Sequence, residues 1–423
     1  MEWSIPTDIS NLLAELDRFI AAEIAPLMEA SPELFDHRRD YARTDVEAGG
    51  IPTQRWREVM AEARRLSDAA GFYRYALPVE LGGQAGSNLA MAIVREHLAG
   101  LGPGLHAELQ HEQSVVGNLV HAQLLHEYGT AEQKEQYLEP LIRGDVLMAF
   151  GLTEPNHGSD ATWMETTAQQ AGGDWIINGM KRWNSLMDVA QVNLVFARTS
   201  GQPGKAAGIT AFLVPVPSSG QQVEMYHWTL VMPTDHAQVK LENVRVPHSA
   251  ILGEEGQGLA VAQLFVHENR VRQAASSLGA AQFCVDRSVR HAEERIMFGK
   301  PLRDYQGIQW QLVDLQTECE LVRNTLYKTA WQMDQIPKRE YEALTAQIAM
   351  CNVRANNLVC EAADRAMQVH GGLGYSRHLP FEYIYRHHRR YRITEGTDEL
   401  QRRRIANTMF DFKGHRSATD SRG

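Results

Sequence analysis

The spacing of apolar residues changes character twice along this chain of 423 residues, near residue 150 and near residue 256. Up to residue 149 apolar side chains recur mostly at helical spacing, whereas short β-branched runs between Gly and Pro turns follow. Beyond Gly258 the periodic segments are helical again and long enough for a bundle of antiparallel helices. This pattern predicts an α+β multidomain fold with an N-terminal all-α domain at residues 1–149, a middle antiparallel β-barrel or sandwich domain at 150–255, a C-terminal long four-helix bundle at 256–412 and a frayed tail at 413–423.

The helical parts can be divided further by their apolar stripes. One stretch, residues 31–52, is polar and contains Gly49 and Gly50, so we predict an exposed loop or insertion there. Thr130 stands where a helix N-cap is expected, with Gln133 in the first turn. The predicted helices are residues 10–27, 56–70, 88–99, 113–128, 259–297, 305–333, 339–370 and 400–409.

Composition excludes several classes of function. The net charge is −10, and an acidic chain is a poor generic ligand for nucleic acid or anionic membranes. No run of about 18 apolar residues is present, so we expect no membrane span. Four cysteines without a CxxC pair favour a reducing compartment, and the first residues lack secretory or transit character. We therefore expect a cytoplasmic protein.

Common nucleotide and hydrolase motifs are missing. The sequence contains no GxxxxGK[ST] loop, no GxGxxG after a strand and no GxSxG elbow. No His-Glu pair continues into HExxH, so no metal site is expected.

Three segments could carry chemistry, although each also has a plain structural interpretation. Residues 150–160 form a turn rich in backbone N–H groups that could hold an anion or the polar edge of a ring. Glu395 lies before a glycine between helices, where it could act as a general base or simply stabilise a helix N-terminus. Residues 368–375 could be a helix C-cap. The basic run 386–390 could equally be a solvated face, an anion site or a contact with another subunit.

The order of the motifs resembles that of the acyl-CoA dehydrogenase flavoprotein family. The chain contains TEPxxGSD, NGxKxW, VRVP…LGxxGxG, ER…FGKPL…Q, QxxGGxGY and EGT, at residues 153–160, 178–183, 244–258, 294–306, 368–375 and 395–397. The N-terminal half agrees through LPVELGG and EYGTAEQKEQYLEPL, so the resemblance covers about residues 10–410. It implies an FAD enzyme that oxidises an acyl-CoA to a trans-2-enoyl-CoA by proton removal and hydride transfer to flavin N5, as in fatty-acid β-oxidation.

The resemblance also implies residue roles. Glu395 of EGT matches the catalytic base, and its backbone N–H would hold the thioester oxygen together with a ribityl hydroxyl. Some relatives carry the base immediately before the Arg of the first bundle helix, but here Asn269 stands there and Glu268 is one residue away. The residues that would bind substrate are Ser159, His267, Asn269, Arg270 and Gly396.

Cofactor contacts follow in the same way. Ser185 stands where the family usually has a Thr whose hydroxyl bonds flavin N5. Arg295, Phe298 and Gln306 would reach the FAD of a neighbouring subunit, which implies a homodimer or homotetramer; an electron-transfer flavoprotein is the expected electron acceptor. The full FAD set comprises Leu152, Thr153, Ser159, Trp183, Asn184, Ser185, Arg295, Phe298, Gln306, Gln368, Val369, Gly371, Gly372, Thr397 and Glu399.

Several positions depart from the family pattern. Asn156-His157 replaces a common Ala-Gly, Thr394 replaces an aromatic residue, and residues 232–236 read MPTDH where a GxR segment is usual. The Arg that the glutaryl-CoA branch carries near His106 is missing, which argues against a dicarboxyl-CoA substrate. Two alternatives stay open: a flavin oxidase or monooxygenase of the same superfamily, and a non-catalytic subunit that binds acyl-CoA and FAD.

Overall fold

The computed structural model describes residues 4–36, 38–39, 41–107 and 115–411. Its α-helices confirm most of the predicted helical segments, and the part of the predicted helix 113–128 that precedes Val115 lies outside the described residues, as does the tail 413–423. The helices are α1 Thr7–Phe19, α2 Ala25–Glu29, α3 Gln54–Ala69, α4 Asn88–Gly100, α5 Val120–Tyr128, α6 Ala131–Arg143, α7 Gly258–Glu294, α8 Gln306–Met333, α9 Thr345–His370, α10 Gly372–Tyr375, α11 Phe381–Arg389 and α12 Asp398–Met409.

Short helical turns connect these elements. A π-helix at Ile20–Ile24 joins α1 to α2, and the predicted helix 339–370 begins as a 3₁₀ turn before α9. Thr130 caps α6 as predicted, in a capping box with Gln133. The 3₁₀ turns are Pro32–Leu34, Val79–Leu81, Leu105–Ala107, Ala161–Trp163, His248–Ala250, Leu302–Asp304, Lys338–Leu344 and Arg390–Arg392.

The middle of the chain forms a mixed sheet of eight strands. The prediction of a β domain is confirmed, with one correction of detail: the sheet is mixed, where the sequence predicts an antiparallel barrel or sandwich. β3 and β4 both pair with β6 in parallel, and the sheet does not close into a barrel within the described residues. The strands are β1 Thr44–Asp45, β2 Ile51–Pro52, β3 Met148–Gly151, β4 Thr167–Ala171, β5 Asp174–Asn184, β6 Val192–Arg198, β7 Ile209–Pro215, β8 Gln221–Tyr226, β9 Ala237–Pro247, β10 Ile251–Leu252, β11 Ile296–Met297 and β12 Lys300–Pro301.

The strand that has the parallel partners, β6, is buried along its whole length. Every residue of β6 is buried, because this strand is covered on both faces and is central in the sheet, in the order β10-β7-β6-β4-β5-β9-β8 with β3 also on β6. Alternation in a sequence reports which faces of a strand are buried, but it carries no information on strand direction. The sequence therefore predicted a β region here and could not exclude a parallel partner.

The chain divides into two compact units. The first, here called the helical unit, comprises Met1–Arg38, Ala85–Val115 and His267–Gly423; the second, the sheet unit, comprises Arg39–Gln84 and Val116–Val266. In the helical unit α4 and α7 approach closely, since a Cβ on Gly279 would lie 2.0 Å from the carbonyl oxygen of Glu96. The three boundaries expected from the sequence stay a prediction.

The polar stretch 31–52 is more ordered than a simple exposed loop. Its second half contains the β1–β2 hairpin, and the Thr44 side chain there is buried. A Cβ on Gly50 would lie 2.6 Å from Met232 and 3.2 Å from Trp228, so this hairpin packs on residues 228–232 of the same unit.

All four cysteines are free and buried, in agreement with the prediction against a disulfide framework. None of the helices within the described residues combines the length and the apolar character needed to cross a membrane.

Candidate functional site

Two of the predicted cofactor segments meet in the sheet unit. Leu152 and Thr153 follow β3 directly, and Trp183 and Asn184 end β5. The backbone N–H of Arg182 donates to the carbonyl of Thr153 at 2.9 Å. The structure therefore brings the TEPxxGSD and NGxKxW segments side by side, although they lie about 30 residues apart in sequence.

A buried ion pair links these two segments to each other. The Lys181 ammonium lies 2.8 Å from Glu154 Oε1 and donates to the carbonyl of Leu152 at 3.2 Å. Glu154 also accepts from the backbone N–H of Thr166 at 2.9 Å. Burial acts to raise the pKa of Glu154, but the Lys181 charge and these hydrogen bonds outweigh it, so that the pKa lies below its ordinary value. The carboxylate is thus held ionised and fixes both segments.

The end of β5 presents an aromatic ring and a hydroxyl. Trp183 has a left-handed φ of +69° and is 47% exposed, with its ring centroid 4.5 Å from that of His227. Asn184 is fully buried and donates to Asn193, while its Oδ1 atom has no hydrogen-bond partner among the residues that the structure describes. The Ser185 hydroxyl lies 2.9 Å from His236 Nδ1.

In the helical unit, Glu395 lies in the turn between Arg390–Arg392 and α12, with a left-handed φ of +56°. Its carbonyl accepts from Arg270 Nε at 2.9 Å and Nη2 at 2.6 Å, and from Gln401 Nε2 at 3.0 Å. Gln401 also donates to the carbonyl of Gly396. A left-handed non-glycine residue is strained, so these three hydrogen bonds hold a conformation that the chain does not favour.

The side chains around Glu395 are polar and buried. Asn269 Nδ2 lies 3.4 Å from Glu395 Oε1. Burial, followed by the charges of Arg270 and Arg404, lowers the pKa of His267 to about 3, so His267 is neutral at neutral pH. Burial and the Arg404 charge lower the pKa of Arg270 to about 9, so its guanidinium group remains charged at neutral pH. Among the predicted substrate residues, the structure brings Asn269, Arg270 and Gly396 to Glu395.

Glu268 occupies a different environment, although it neighbours Asn269 in sequence. Its carboxylate lies 2.9 Å from Arg272 Nη2 and 3.0 Å from Lys338 Nζ. Burial acts to raise the pKa of Glu268, but the two cations lower it below its ordinary value. A carboxylate that is fully buried and paired with two cations is a poor proton acceptor, which favours Glu395 over Glu268 as a base.

The residues expected to reach a neighbouring subunit lie on an exposed hairpin of the helical unit. Arg295 follows α7, and Phe298, between β11 and β12, is 90% exposed with a φ of +48°. Gln306 begins α8 and is also exposed. These three side chains are therefore displayed on the surface of the single chain.

The remaining predicted FAD contacts differ in how far their side chains are exposed. Gln368, Gly371 and Gly372 are exposed at the C-terminal end of α9, whereas Val369 is buried in a cluster with Ala292, Leu302 and Leu312 and is not available to a ligand through its side chain. Thr397 caps α12 by accepting from the backbone N–H of Leu400, and Glu399 is exposed in the first turn. Ser159 is exposed in the loop after β3.

The basic run 386–390 does not form a solvated face. His387 and His388 are completely buried in α11, and Arg386 pairs with Glu382 at 2.6 Å. Arg390 lies over the Tyr391 ring at 4.9 Å. Most of this run is thus engaged within the helical unit.

Sequence reasoning missed two residues of these groups, Gln401 and His236. Gln401 is separated from Glu395 by six positions, and the start of α12 signalled by Thr397 could have placed it there. His236 lies in the MPTDH segment that was noted only as a departure. Its contact with Ser185 depends on the pairing of two distant strands, for which the local sequence gives no signal.

Comparison with known proteins gives consistent matches between residues 8 and 410. Three family models match in order: the N-terminal domain of acyl-CoA dehydrogenase at residues 8–145, the middle domain at 149–244 and the C-terminal domain at 256–410. The chain is 33% identical over 374 residues to a 3-(aryl)acrylate reductase of Clostridium sporogenes, covering 88% of this chain and 96% of the relative.

Two further similarities extend this result. The human mitochondrial short-chain specific acyl-CoA dehydrogenase is 32% identical over 383 residues, which cover 90% of each chain. The solved structure of a putative acyl-CoA dehydrogenase from Mycobacterium abscessus superposes with a TM-score of 0.84 at 28% identity, covering 97% of this chain and 100% of the other.

Proposed function

The chain belongs to the acyl-CoA dehydrogenase family, and we propose that it oxidises an acyl-CoA thioester to a trans-2-enoyl-CoA with Glu395 as the base. As a member of this family it is an oxidoreductase that acts on CH–CH bonds, and its cofactor is FAD. The proposal adds the base, the direction and the product to these family properties. The observation that carries it is the clamp of Arg270 and Gln401 on the Glu395 carbonyl.

The residues present fit a flavin. Within the described part of the chain, Asn184 Oδ1 is a buried polar atom without a partner. Its sequence neighbours Trp183 and Ser185 supply an exposed ring and a hydroxyl, which suits a planar ring with a polar edge. At the end of α9, a Cβ on Gly371 or Gly372 would meet no atom within 4 Å, so the backbone there is open to a ligand. When bound, FAD supplies the two-electron acceptor that side chains lack.

Glu395 performs the proton transfer in this proposal. Its carboxylate removes the α-proton of the acyl group, and its backbone N–H donates to the thioester oxygen as negative charge develops there. Arg270 and Gln401 hold the Glu395 carbonyl, so that the left-handed turn and with it the carboxylate keep one position. Asn269 contacts the same carboxylate and orients it.

Binding roles are assigned to each unit separately. In the sheet unit we assign FAD contacts to Leu152, Thr153, Ser159, Trp183 and Ser185. In the helical unit we assign FAD contacts to the C-terminal end of α9, Thr397 and Glu399, and substrate contacts to His267 and Gly396.

The exposed Arg295, Phe298 and Gln306 would bind the FAD of a second copy of the chain, which requires a homodimer or homotetramer. The acceptor proposed for the electrons is an electron-transfer flavoprotein.

A second candidate is the same reaction in the reductive direction. It is favoured by the 33% identical relative named 3-(aryl)acrylate reductase. The residue roles are unchanged, since the acid Glu395 would then return the proton to the α-carbon. Two measurements distinguish the directions. Bleaching of the oxidised flavin by an acyl-CoA favours oxidation, whereas re-oxidation of the reduced enzyme by an enoyl-CoA or aryl-acrylate thioester favours reduction.

The proposal is tested by anaerobic titration of the FAD-loaded protein with a panel of acyl-CoA thioesters. We expect one or more to bleach the flavin, and Glu395→Gln to slow bleaching by at least about 100-fold while FAD stays bound. Glu340→Gln removes an exposed carboxylate of the same unit and serves as the control, with bleaching unchanged. Bleaching of Glu395→Gln at the rate of the unmodified enzyme would exclude Glu395 as the base.

A further inference from the structure

We propose that His236 positions the Ser185 hydroxyl for hydrogen bonding to the flavin, as a residue that acts on the cofactor through Ser185. The inference rests on the proposed function, because it places Ser185 at the flavin. The observation behind it is the distance of 2.9 Å between Ser185 Oγ and His236 Nδ1. A histidine at this position lies in the MPTDH segment that departs from the family pattern.

The strand register produces this contact. β5 and β9 are antiparallel, and Asn184 at the end of β5 stands opposite Ala237 at the start of β9. The next residue along β5 and the one before β9 are therefore Ser185 and His236, which the register brings face to face. Both residues lie one position outside their strands, so the last register pair of the sheet brings their backbones close together.

Neighbouring hydrogen bonds fix both partners. The carboxylate of Asp235 is buried and accepts from the backbone N–H of Leu186 at 2.9 Å. The backbone N–H of His227 donates to the carbonyl of His236 at 2.9 Å. The backbone segments that carry Ser185 and His236 are thus linked to their neighbours on both sides of the contact.

One carboxylate lies close to the imidazole of His236. Asp235 Oδ1 lies 3.5 Å from His236 Nδ1. Burial and the charges of Arg182 and His236 lower the pKa of the neighbouring His227. Arg57 and Tyr226 both interact electrostatically with Asp235. The Ser185 hydroxyl is therefore the nearer of the two groups at His236 Nδ1, and the Asp235 carboxylate is the more distant one.

The chemistry of a hydroxyl explains why the partner matters. A serine has one proton, so it can donate to only one partner and must accept from the other. When His236 Nδ1 carries hydrogen, Ser185 accepts from it and offers its own proton to an acceptor. When Nδ1 is bare, Ser185 donates to it and offers a lone pair to a donor. Since flavin N5 is an acceptor when oxidised and an N–H donor when reduced, His236 lets the same hydroxyl serve both states.

The test compares two replacements of His236. His236→Leu removes the hydrogen-bond partner, whereas His236→Asn keeps a polar atom near the place of Nδ1. The readouts on FAD-loaded protein are the flavin absorption bands, the midpoint potential and the dissociation constant for FAD. We expect His236→Leu to shift bands and potential and to weaken FAD binding by about 2- to 10-fold, the cost of one hydrogen bond. His236→Asn should restore most of these values.

Ser185→Ala supplies the second arm and guards against misfolding. It should shift the bands and the potential in the same direction as His236→Leu, and His236→Leu should add little in the Ser185→Ala background. Bands and potential that stay unchanged in His236→Leu, or that shift equally in His236→Leu and His236→Asn, would overturn the inference alone. Purified protein without any FAD would overturn the proposed function and this inference with it.

Discussion

Each unit contains a buried carboxylate next to predicted site residues. The two carboxylates differ in the cations with which they form ion pairs. In the sheet unit Glu154 pairs with Lys181, both of them almost inaccessible, and also accepts from the backbone N–H of Thr166. In the helical unit Glu268 pairs with Arg272 on its own helix and with Lys338, whose side chain is about one-third exposed.

The difference concerns what happens when one partner is lost. Lys181 has no route to water, and Glu154 would keep only backbone donors, so the sheet unit depends on an intact pair. Glu268 has two cations, and Lys338 can turn toward solvent without it. Breaking a buried pair leaves an uncompensated charge, which costs more than the pair itself contributes. We therefore expect the sheet unit to be the more sensitive of the two.

The largest effect is expected from Lys181→Met. The change leaves the Glu154 carboxylate buried without its cation and should lower the free energy of unfolding by about 3–5 kcal/mol. Urea unfolding followed by circular dichroism measures this loss.

The double variant Lys181→Met with Glu154→Gln is the matched control, because it removes both charges and keeps an oxygen for the Thr166 N–H. It should be more stable than Lys181→Met alone. A double variant that is less stable would show that the charge itself is not the cause.

A smaller loss is expected from Glu268→Gln. The amide is the same size but leaves Arg272 without a counter-charge, so unfolding should become easier by about 1–3 kcal/mol. Glu62→Gln, which removes an exposed i,i+3 pair with Arg65, is the control and should leave the melting temperature unchanged. Equal melting temperatures for both variants would contradict a structural role for the Glu268 pairs.

The smallest effect concerns pH and a buried neutral group. Burial and the Arg390 charge lower the pKa of His388 to about 3 from an ordinary 6.5. Between these values the unfolded chain binds a proton that the folded chain does not, so stability is full above the unfolded pKa and declines as the pH falls through this window.

His388→Asn keeps a polar atom for its contact with Ser277 and removes the titration. Between pH 6.5 and 5 it should reduce the slope of unfolding free energy against pH by up to about 1.4 kcal/mol per unit. The measurement is urea unfolding at several pH values, and an unchanged slope would mean that His388 is not protonated on unfolding. Other buried histidines such as His121, whose pKa burial lowers to about 4, contribute the remaining slope.

The sequence predicted the helices well where apolar stripes are long. The segments 305–333 and 56–70 differ from α8 and α3 by at most two residues at each end. It predicted a strand-rich middle region but not the parallel pairing of β3 with β6, because this pairing joins strands more than 40 residues apart. The same reason explains why His236 was missed, since its partner Ser185 is 51 positions away.

The sequence by itself determined the family, the helical and β regions, and Glu395 as the candidate base, because these are encoded in local periodicity and in ordered motifs. Only the tertiary structure decided which side chains hydrogen-bond to the Glu395 carbonyl, that Glu268 forms ion pairs with two cations, and that His236 contacts Ser185. Those facts depend on strand register and helix crossing. Hydrogen bonds and ion pairs act over a few ångströms in space, and residues far apart in sequence are brought within that range only by the folded chain.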